Sequence, residues 1–177
     1  MRNFKLAICA LAMSAVSTAA FAEGQGQVRF EGELINETCK LADDSKDILV
    51  TLPKLSTKTL DAEGKEAGSK GFDINVIDCP SSITKVAAHF EAIGSSGVNS
   101  ATGNLKNAYT AADKAGNVEV RLYDADESHL KLGDTGQSFT VKSDGTSTLR
   151  YYGGYYATAA TTAGKVEAKA LFTLAYE

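Results

Sequence analysis

The chain has 177 residues, of which 44% are hydrophobic, 23% charged and 8% aromatic, and its formal net charge is −4. These fractions are ordinary for a globular protein, so the composition excludes a disordered or collagen-like chain. The length suits one domain with a single core and excludes a long multidomain enzyme.

The first 22 residues have the features of a secretory signal peptide. Arg2 and Lys5 supply its positive charge, and an apolar run follows over residues 6–16. Ala20 and Ala22 then provide the small residues that a signal peptidase reads. Because a bilayer-spanning helix needs about 20 apolar residues and no stretch of this sequence reaches that length, we expect an exported protein that is not membrane-embedded.

Removal of the leader makes the chain more acidic. Of the 18 Lys and Arg residues, two lie in the leader and 16 remain, against 22 Asp and Glu, so the mature net charge is −6. The basic residues are scattered singly among acidic ones, whereas a phosphate-binding surface needs them clustered. We therefore expect no nucleic-acid partner.

Cysteine usage indicates one disulfide. Cys9 lies in the leader, which leaves Cys39 and Cys79 in the mature chain. Two thiols in an oxidising compartment most simply pair with each other. A metal site would need further cysteines or histidines close by, and His89 and His129 stand alone. The sequence therefore predicts a Cys39 to Cys79 disulfide and no cofactor.

The mature chain alternates apolar and polar residues in short segments and almost lacks the spacing of an amphipathic helix. Turn residues such as Gly133-Asp134 and Ser143-Asp144-Gly145 separate these segments. This pattern predicts an all-β sandwich, with a surface loop over the polar stretch 95–117. The predicted strands are 27–35, 48–52, 72–79, 86–93, 118–123, 129–132, 138–141, 146–157 and 165–176.

The segment at the mature N-terminus has one apolar face with no obvious partner. Gly24, Gly26, Val28, Phe30, Gly32 and Leu34 alternate there with polar or charged residues. Such a segment is ordinarily a half-buried strand of its own sandwich. No turn precedes it, however, and its glycines weaken an isolated strand while allowing close backbone approach. It is therefore also suited to pairing with the exposed edge of another sheet.

The C-terminal segment has a continuous apolar face as well. This face is formed by Val166, Ala168, Ala170, Phe172, Leu174 and Tyr176.

Both ends of the mature chain resemble a known family. Residues 24–36, followed by Cys39, resemble the N-terminus of the structural pilins of chaperone/usher fimbriae, type 1 and P pili especially. Gly164 is the fourteenth residue from the C-terminus and Tyr176 the penultimate one, a pairing that marks the chaperone-recognition strand of that family. The resemblance covers essentially the whole mature chain.

The resemblance implies an incomplete immunoglobulin-like sandwich that lacks its final strand and is completed by a donated one. A periplasmic chaperone first lends a strand to the exposed groove. At an outer-membrane usher, the N-terminal extension of the next subunit replaces it, which gives a head-to-tail homopolymer on the bacterial cell surface. The expected function is that of a structural fimbrial subunit in cell adhesion, most simply the major rod subunit, with a minor or adaptor subunit as the alternative.

The resemblance also implies roles for particular residues. The expected organisation is a signal peptide over 1–22, a donor-strand extension over 23–32 and a pilin domain over 33–177. Within the extension, Gly26 is expected at a narrow part of the groove, with Val28 and Phe30 filling pockets. Gly24 belongs to the same donor face. The groove edge that binds the chaperone is expected to comprise Gly164, Val166, Ala168, Ala170, Phe172, Leu174 and Tyr176.

Other classes of function fit the sequence less well. An enzyme would need converging acid, base or nucleophile groups, yet the two histidines are far apart in sequence and no G-x-S-x-G motif occurs. A secreted monomeric sandwich that binds a ligand is the non-fimbrial alternative, and the tyrosines around Gly153-Gly154 could then form a sugar-binding shelf. Alternation places Tyr151 and Tyr152 on opposite faces, so we expect core and inter-strand roles for these rings.

Overall fold

The computed structural model describes residues 27–35, 37–93 and 97–176. The predicted signal peptide, Gly24 and Gly26 lie outside the described residues. The chain divides into two compact units, Met1–Leu34 and Ile35–Glu177. Each is described by itself.

The described part of the first unit forms no helix or strand. Its large apolar side chains are exposed: Val28 by 77%, Phe30 by 89% and Leu34 by 100%. The prediction of a strand over 27–35 is therefore wrong for this structure. Alternation predicted the apolar face correctly, but a strand also needs a hydrogen-bonded neighbour, and these residues have none among the described ones.

The second unit is built from strands, two short 3-10 helices (Asp43–Ser45 and Thr57–Leu60) and turns, with no α-helix among the described residues. Nor does any described helix have the length and apolar character needed to cross a membrane. The strands are β1 (Lys40–Leu41), β2 (Glu66–Ile77), β3 (Lys85–Ala92), β4 (Val98–Asn99), β5 (Asn104–Lys106), β6 (Val118–Tyr123), β7 (His129–Leu130), β8 (Phe139–Thr140), β9 (Ser147–Ala157) and β10 (Ala170–Tyr176).

The strands form two antiparallel sheets, as the sequence predicted. The larger sheet has the order β1-β2-β9-β6-β5-β4, with β7 also paired to β6. The smaller sheet has the order β10-β3-β8, so β10 lies at its edge. The register of the long pair in the larger sheet places Ile74 opposite Leu149, and that of the smaller sheet places Phe172 opposite Phe90.

One hydrophobic core lies between the sheets. Ile74, Leu149 and Tyr151 come from the larger sheet, and Val86 and Phe90 come from the smaller one. The Tyr151 and Phe90 rings meet edge to face with centroids 5.1 Å apart. Sheet-on-sheet packing of this kind buries the alternate side chains of each strand, which is why the period-2 pattern was informative.

The ring of Tyr151 is part of this core. The side chain is fully buried, and its hydroxyl accepts a hydrogen bond from the Ala88 N–H at 3.0 Å and donates one to the Gln137 carbonyl at 3.0 Å. Burial raises the pKa of this hydroxyl to about 12. On the next residue, the Tyr152 ring points away from this core and lies against Gly71. The expected separation of the two rings onto opposite faces is confirmed.

The predicted disulfide between Cys39 and Cys79 is present. It joins residues 40 positions apart, immediately before β1 and after β2. Beside it, Lys40 pairs with Ile77 in the short β1-β2 ladder. Because a two-residue strand has little stability of its own, the cross-link is what fixes this end of the larger sheet, and closing such a loop is worth about 4 kcal/mol.

The stretch 95–117 is not simply a surface loop. Within its described residues it contributes β4 and β5 to the larger sheet and buries Asn104, Leu105, Asn107 and Ala115. The two strands are too short to show alternation. Two of the buried side chains are amides that hydrogen bond to other buried groups, and hydropathy does not indicate such burial.

Candidate functional site

A groove of about 790 Å³ opens along one side of the sandwich. It lies between two extended segments, residues 48–52 and residues 166–172. Its floor is the core itself, because residues of both sheets reach the groove where no strand covers them. The floor residues are Phe72, Phe90, Leu105, Val120, Leu122, Gly153 and Tyr155.

The first wall of the groove is an extended segment without a neighbour. Ile48, Val50 and Leu52 are half-buried and alternate with exposed residues, among them Leu49, which is 90% exposed. The sequence predicted a strand here, and the alternation is that of a strand. Yet residues 48–52 belong to neither sheet and make no backbone hydrogen bonds to other described residues. This wall therefore presents unpaired backbone to the groove.

The second wall continues into β10, which has β3 on one side and the open groove on the other. In β3, Phe90 turns its backbone groups away from β10, since its N–H donates to the Asp134 carbonyl and its carbonyl accepts from the Gly133 N–H. The backbone N–H and C=O groups of its two neighbours in β3, His89 and Glu91, must then point toward β10.

This geometry determines which backbone groups of the C-terminal strand face the groove. His89 and Glu91 pair with Thr173 and Leu171, so these two residues of β10 direct their N–H and C=O groups to β3. Phe172, between them, directs its backbone groups into the groove. Both walls therefore leave an unpaired edge on the same opening, which is the gap that one missing strand would leave in a sheet.

Gly164 marks the start of the second wall. A Cβ atom at this position would lie 2.5 Å from the Asp113 carbonyl oxygen and would also overlap the backbone at Lys114 and Ala115. Only glycine lets the chain pass this close to the loop. The family resemblance singled out Gly164, and the structure supplies a steric reason for it.

The structure brings most of the predicted groove edge together. Val166, Ala168, Ala170 and Phe172 all line the groove. Farther along the strand, Leu174 and Tyr176 pack against the core. The 165–176 segment is a hydrogen-bonded strand only from Ala170 onward, because β3, its neighbour, ends at Ala92.

A second cavity of about 460 Å³ extends the groove at the Gly164 end. Tyr155 and Val166 line both openings. The wall of the second cavity combines apolar residues such as Leu55, Leu60 and Val118 with polar ones such as Lys54 and Thr161. The groove and this cavity together form one trough, and the apolar floor of the groove suits an extended segment with apolar side chains on one face.

The predicted donor face can be examined only in part, because Gly24 and Gly26 lie outside the described residues. Val28 and Phe30 are exposed, as a segment offered to another molecule requires. The donor residues named from the sequence end at Phe30, although the alternating face continues to Leu34, which is fully exposed. The sequence also did not show that residues 48–52 form an unpaired wall, because alternation cannot show that a strand lacks a neighbour.

Known proteins are similar to this chain in sequence and in architecture. The family model described as "Fimbrial protein" matches residues 28–177. The F17 fimbrial protein of Escherichia coli is 33% identical over 172 residues, which cover 93% of this chain and 94% of that protein. The type-1 fimbrial protein A chain of Escherichia coli strain K12 is 35% identical over 184 residues, and each chain is covered completely.

A solved structure shows the same fold. A chain in a chaperone-usher pilus superposes with a TM-score of 0.61 at 23% identity, covering 90% of this chain and all of that one. Its agreement with the two sheets described above is consistent with an immunoglobulin-like sandwich.

Proposed function

Because the chain belongs to the fimbrial protein family and is a fimbrial subunit of the chaperone-usher type, we propose that it polymerises by donor-strand exchange. In this proposal the N-terminal extension of one copy fills the groove of the next copy. The role is structural rather than catalytic.

The observation that carries this proposal is the groove with an unpaired backbone edge on each side. Its walls, residues 48–52 and 166–172, can each hydrogen bond to one side of an inserted strand. A strand placed there would cover Phe72 and Phe90 at the floor and pair with β10 on one side and with residues 48–52 on the other. Exposed edges of this kind promote aggregation until another segment pairs with them.

The N-terminal extension has the chemistry of such a strand. Val28, Phe30 and Leu34 present apolar side chains on one face, while Arg29 and Glu31 alternate with them and form an ion pair with N and O atoms 2.6 Å apart. Inserted into the trough, the apolar face would be buried and the charged face would remain in water. Burial of a side chain such as Phe30 is worth about 1.5–3 kcal/mol.

Two glycines share this face, and each is a candidate for a narrow part of the groove. The family resemblance assigns that role to Gly26, which lies outside the described residues. Gly32 lies between Phe30 and Leu34, and apart from its chain neighbours no described residue comes within 4 Å of the position of its missing Cβ. Leucine substitutions at the two positions distinguish which glycine meets the narrow part of the groove.

Donation in this way produces a fibre. The donor and the acceptor are different surfaces of the same chain, so the contact is head-to-tail and each added subunit offers a new extension. Before assembly, a periplasmic chaperone would cover the β10 edge, and an outer-membrane usher would exchange the chaperone for the next subunit. We accordingly propose export through the periplasm to the bacterial cell surface.

We further propose that this chain is the major rod subunit. It combines an acceptor groove with a donor extension, which suits repeated addition of a single component. A minor or adaptor subunit would have the same parts but occur at a few positions in each fibre. Immunogold labelling along isolated fibres distinguishes the two: dense labelling supports the major role, and labelling restricted to the tip or base contradicts it.

Negative-stain microscopy of the producing cells tests the proposed function. Cells that express the wild-type chain should carry fibres, and cells that lack it should not. Cells that express the chain without residues 23–30 should also be bare, although they export the subunit. Fibres of normal number and length from the truncated chain would contradict donation by this extension.

A further inference from the structure

The start of the second groove wall is held by a loop rather than by a sheet. β3 pairs with the chain only as far back as Ala170, so residues 164–169 have no strand of the smaller sheet beside them. The loop 107–115 takes that place. We call this loop the clasp, because it contacts the wall on the side away from the groove.

Asn107 is the centre of the clasp. Its side chain is 8% exposed, and its amide uses every donor and acceptor it has. The Nδ2 group donates to the carbonyl oxygens of Lys165 and Ala115, both at 3.0 Å. The Oδ1 atom accepts from the N–H groups of Glu167 at 3.1 Å and Tyr109 at 3.0 Å.

This arrangement copies the hydrogen bonding of a parallel strand. A residue in a parallel ladder donates to the carbonyl of one residue on its neighbour and accepts from the N–H two residues farther on. The Asn107 side chain does the same with Lys165 and Glu167. The clasp backbone continues the pattern, since Lys114 and Lys165 form a parallel bridge. The amide therefore stands in for a missing strand residue beside Val166.

The pairing determines where Val166 and Ala168 direct their backbone groups. Lys165 and Glu167 direct theirs to the clasp, and successive residues of an extended chain direct theirs to opposite sides. Val166 and Ala168, which line the groove, therefore turn theirs toward it. Without the clasp, this part of the wall would be a free segment with no fixed orientation.

The other contacts between the clasp and the wall are weaker candidates for this role. The Lys165 ammonium group lies 3.1 Å from the Asp113 carboxylate and 3.2 Å from the Tyr109 hydroxyl. These groups are exposed, and exposed ion pairs contribute about 0–1 kcal/mol. Backbone hydrogen bonds also join the clasp to the wall: the Lys165 N–H donates to the Asp113 carbonyl, and the Ala115 and Ala108 N–H groups donate to the Lys165 and Glu167 carbonyls. To these the buried amide of Asn107 adds the side-chain hydrogen bonds that hold the Lys165 carbonyl and the Glu167 N–H on either side of Val166.

We propose that Asn107 is a positioning residue for strand uptake, which holds residues 164–168 so that Val166 and Ala168 are ready to pair with an incoming strand. This inference rests on the proposed function. A preformed wall avoids the entropy cost of ordering it at the moment of binding, so the bound strand is retained longer. The side chain acts through the wall and does not itself touch the incoming strand.

The test uses the mature chain and a fluorescein-labelled peptide of its residues 23–35, in excess so that the peptide fills each groove. Hydrogen exchange of the Val166, Ala168 and Phe172 amides is measured in the complex, together with the rate of peptide release. In Asn107→Asp the carboxylate loses both donors and faces two carbonyl oxygens. We expect exchange at Val166 and Ala168 at least tenfold faster than in wild type, with Phe172 unchanged and peptide release at least tenfold faster.

Asn104→Asp is the matched control. Asn104 is also a buried amide, but its side chain hydrogen bonds to Glu119 and Arg121 in the larger sheet rather than to the wall. The Asn104→Asp variant should have a lower free energy of unfolding, while its rates of hydrogen exchange at Val166 and of peptide release stay within twofold of wild type. If Asn107→Asp does not fold, Asn107→Ala removes the same hydrogen bonds without burying a charge. For this variant we expect the same increases in hydrogen exchange and in peptide release.

The outcomes separate the two proposals. If wild type fails to bind the peptide, donor-strand exchange is wrong and the inference falls with it. If wild type binds and the folded Asn107 variants protect Val166 and release the peptide as wild type does, the proposed role of Asn107 is wrong while donor-strand exchange stands. The proposed role of Asn107 would also be wrong if Asn104→Asp changed the rate of peptide release as much as Asn107→Asp does, because the effect would then reflect stability alone.

Discussion

Phe172 in β10 lies directly opposite Phe90 in β3, with ring centroids 6.2 Å apart, and both rings reach the groove. Phe90 is buried and packs in turn against Tyr151, so the groove floor is continuous with the deepest part of the core. A change on the groove side at Phe172 therefore affects both the binding surface and the core behind it.

The first prediction concerns the replacement of this residue. Phe172→Asp places an unpaired charge on an apolar surface where a donated strand should pack, which is strongly unfavourable. We expect the complex with the chaperone to fail and the subunit to be degraded in the periplasm. Thr173→Asp is the control, since Thr173 is exposed on the opposite face of the same strand.

Periplasmic accumulation of each variant, with the chaperone co-expressed, checks this prediction. Thr173→Asp should accumulate as wild type does. If Phe172→Asp accumulated to the same level in a stable chaperone complex, β10 would not be the chaperone-binding edge.

The second prediction concerns the disulfide. Cys39→Ser should lower the free energy of unfolding by about 2–5 kcal/mol, because the unfolded chain then loses its cross-link. Urea unfolding of the variant measures the loss, and wild type treated with a reductant provides the matched comparison. Thiol labelling of unfolded, unreduced wild type should detect no free thiol. Two labelled cysteines in each chain would show that the bond does not form.

Much of the architecture could be predicted because the elements are regular. The bounds of β6 agree with the predicted strand at both ends, because apolar residues alternate with Glu119 and Arg121 along its sequence, although burial in the structure does not alternate. The disulfide could be predicted because it requires only an oxidising compartment and an even number of cysteines in the mature chain. The family resemblance named residues of the C-terminal segment, several of which line the groove, whereas their binding to a chaperone stays a prediction.

The remaining features depend on long-range contacts that no local pattern carries. The alternation of residues 48–52 predicted a strand, but only the assembled sandwich shows that this strand has no neighbour. Asn107 looked like part of a polar loop, whereas it is buried because its partners at Lys165 and Glu167 lie about 60 residues away. The exposed position of Leu34 likewise became evident only in the structure.

The third prediction concerns the two glycines of the donor face. A leucine at the position that meets a narrow part of the groove should overpack it and slow or block polymerisation. We expect this effect from Gly26→Leu. Gly32→Leu tests the second glycine of the face in the same way. Gln27→Leu is the control, because it adds the same side chain on the opposite face of the extension.

Polymerisation of the three variants, followed as ladders on SDS gels, checks this prediction. Gln27→Leu should assemble at nearly the wild-type rate. If Gly26→Leu assembles normally and Gly32→Leu does not, the narrow part lies opposite Gly32. Normal assembly of both would show that the groove has no narrow part along this face.

The fourth prediction concerns alkaline pH. A tyrosine in an unfolded chain titrates near pH 10, whereas burial raises the pKa of Tyr151 to about 12. The folded state therefore favours the protonated hydroxyl. Its contribution to the free energy of unfolding is complete below about pH 10 and decreases as the pH rises toward about 12.

Urea unfolding at several pH values across this window measures the effect. A single such group contributes a slope of up to about 1.4 kcal/mol per pH unit. Tyr151→Phe should remove that part of the slope, while the parts from Tyr123 and Tyr155, whose pKa values burial also raises, remain. An unchanged slope in Tyr151→Phe would contradict the buried, protonated state of this hydroxyl.

The most direct test of donor-strand exchange is deletion of residues 23–30 from the purified mature chain. Val28 and Phe30 are exposed, so the deletion should leave the free energy of unfolding within about 0.5 kcal/mol of wild type. The truncated chain keeps its groove but has no strand to donate. Alone it should form no SDS-resistant ladder, and mixed with wild type it should shorten the ladders in proportion to its fraction. Ladders of undiminished length from the truncated chain would contradict the account.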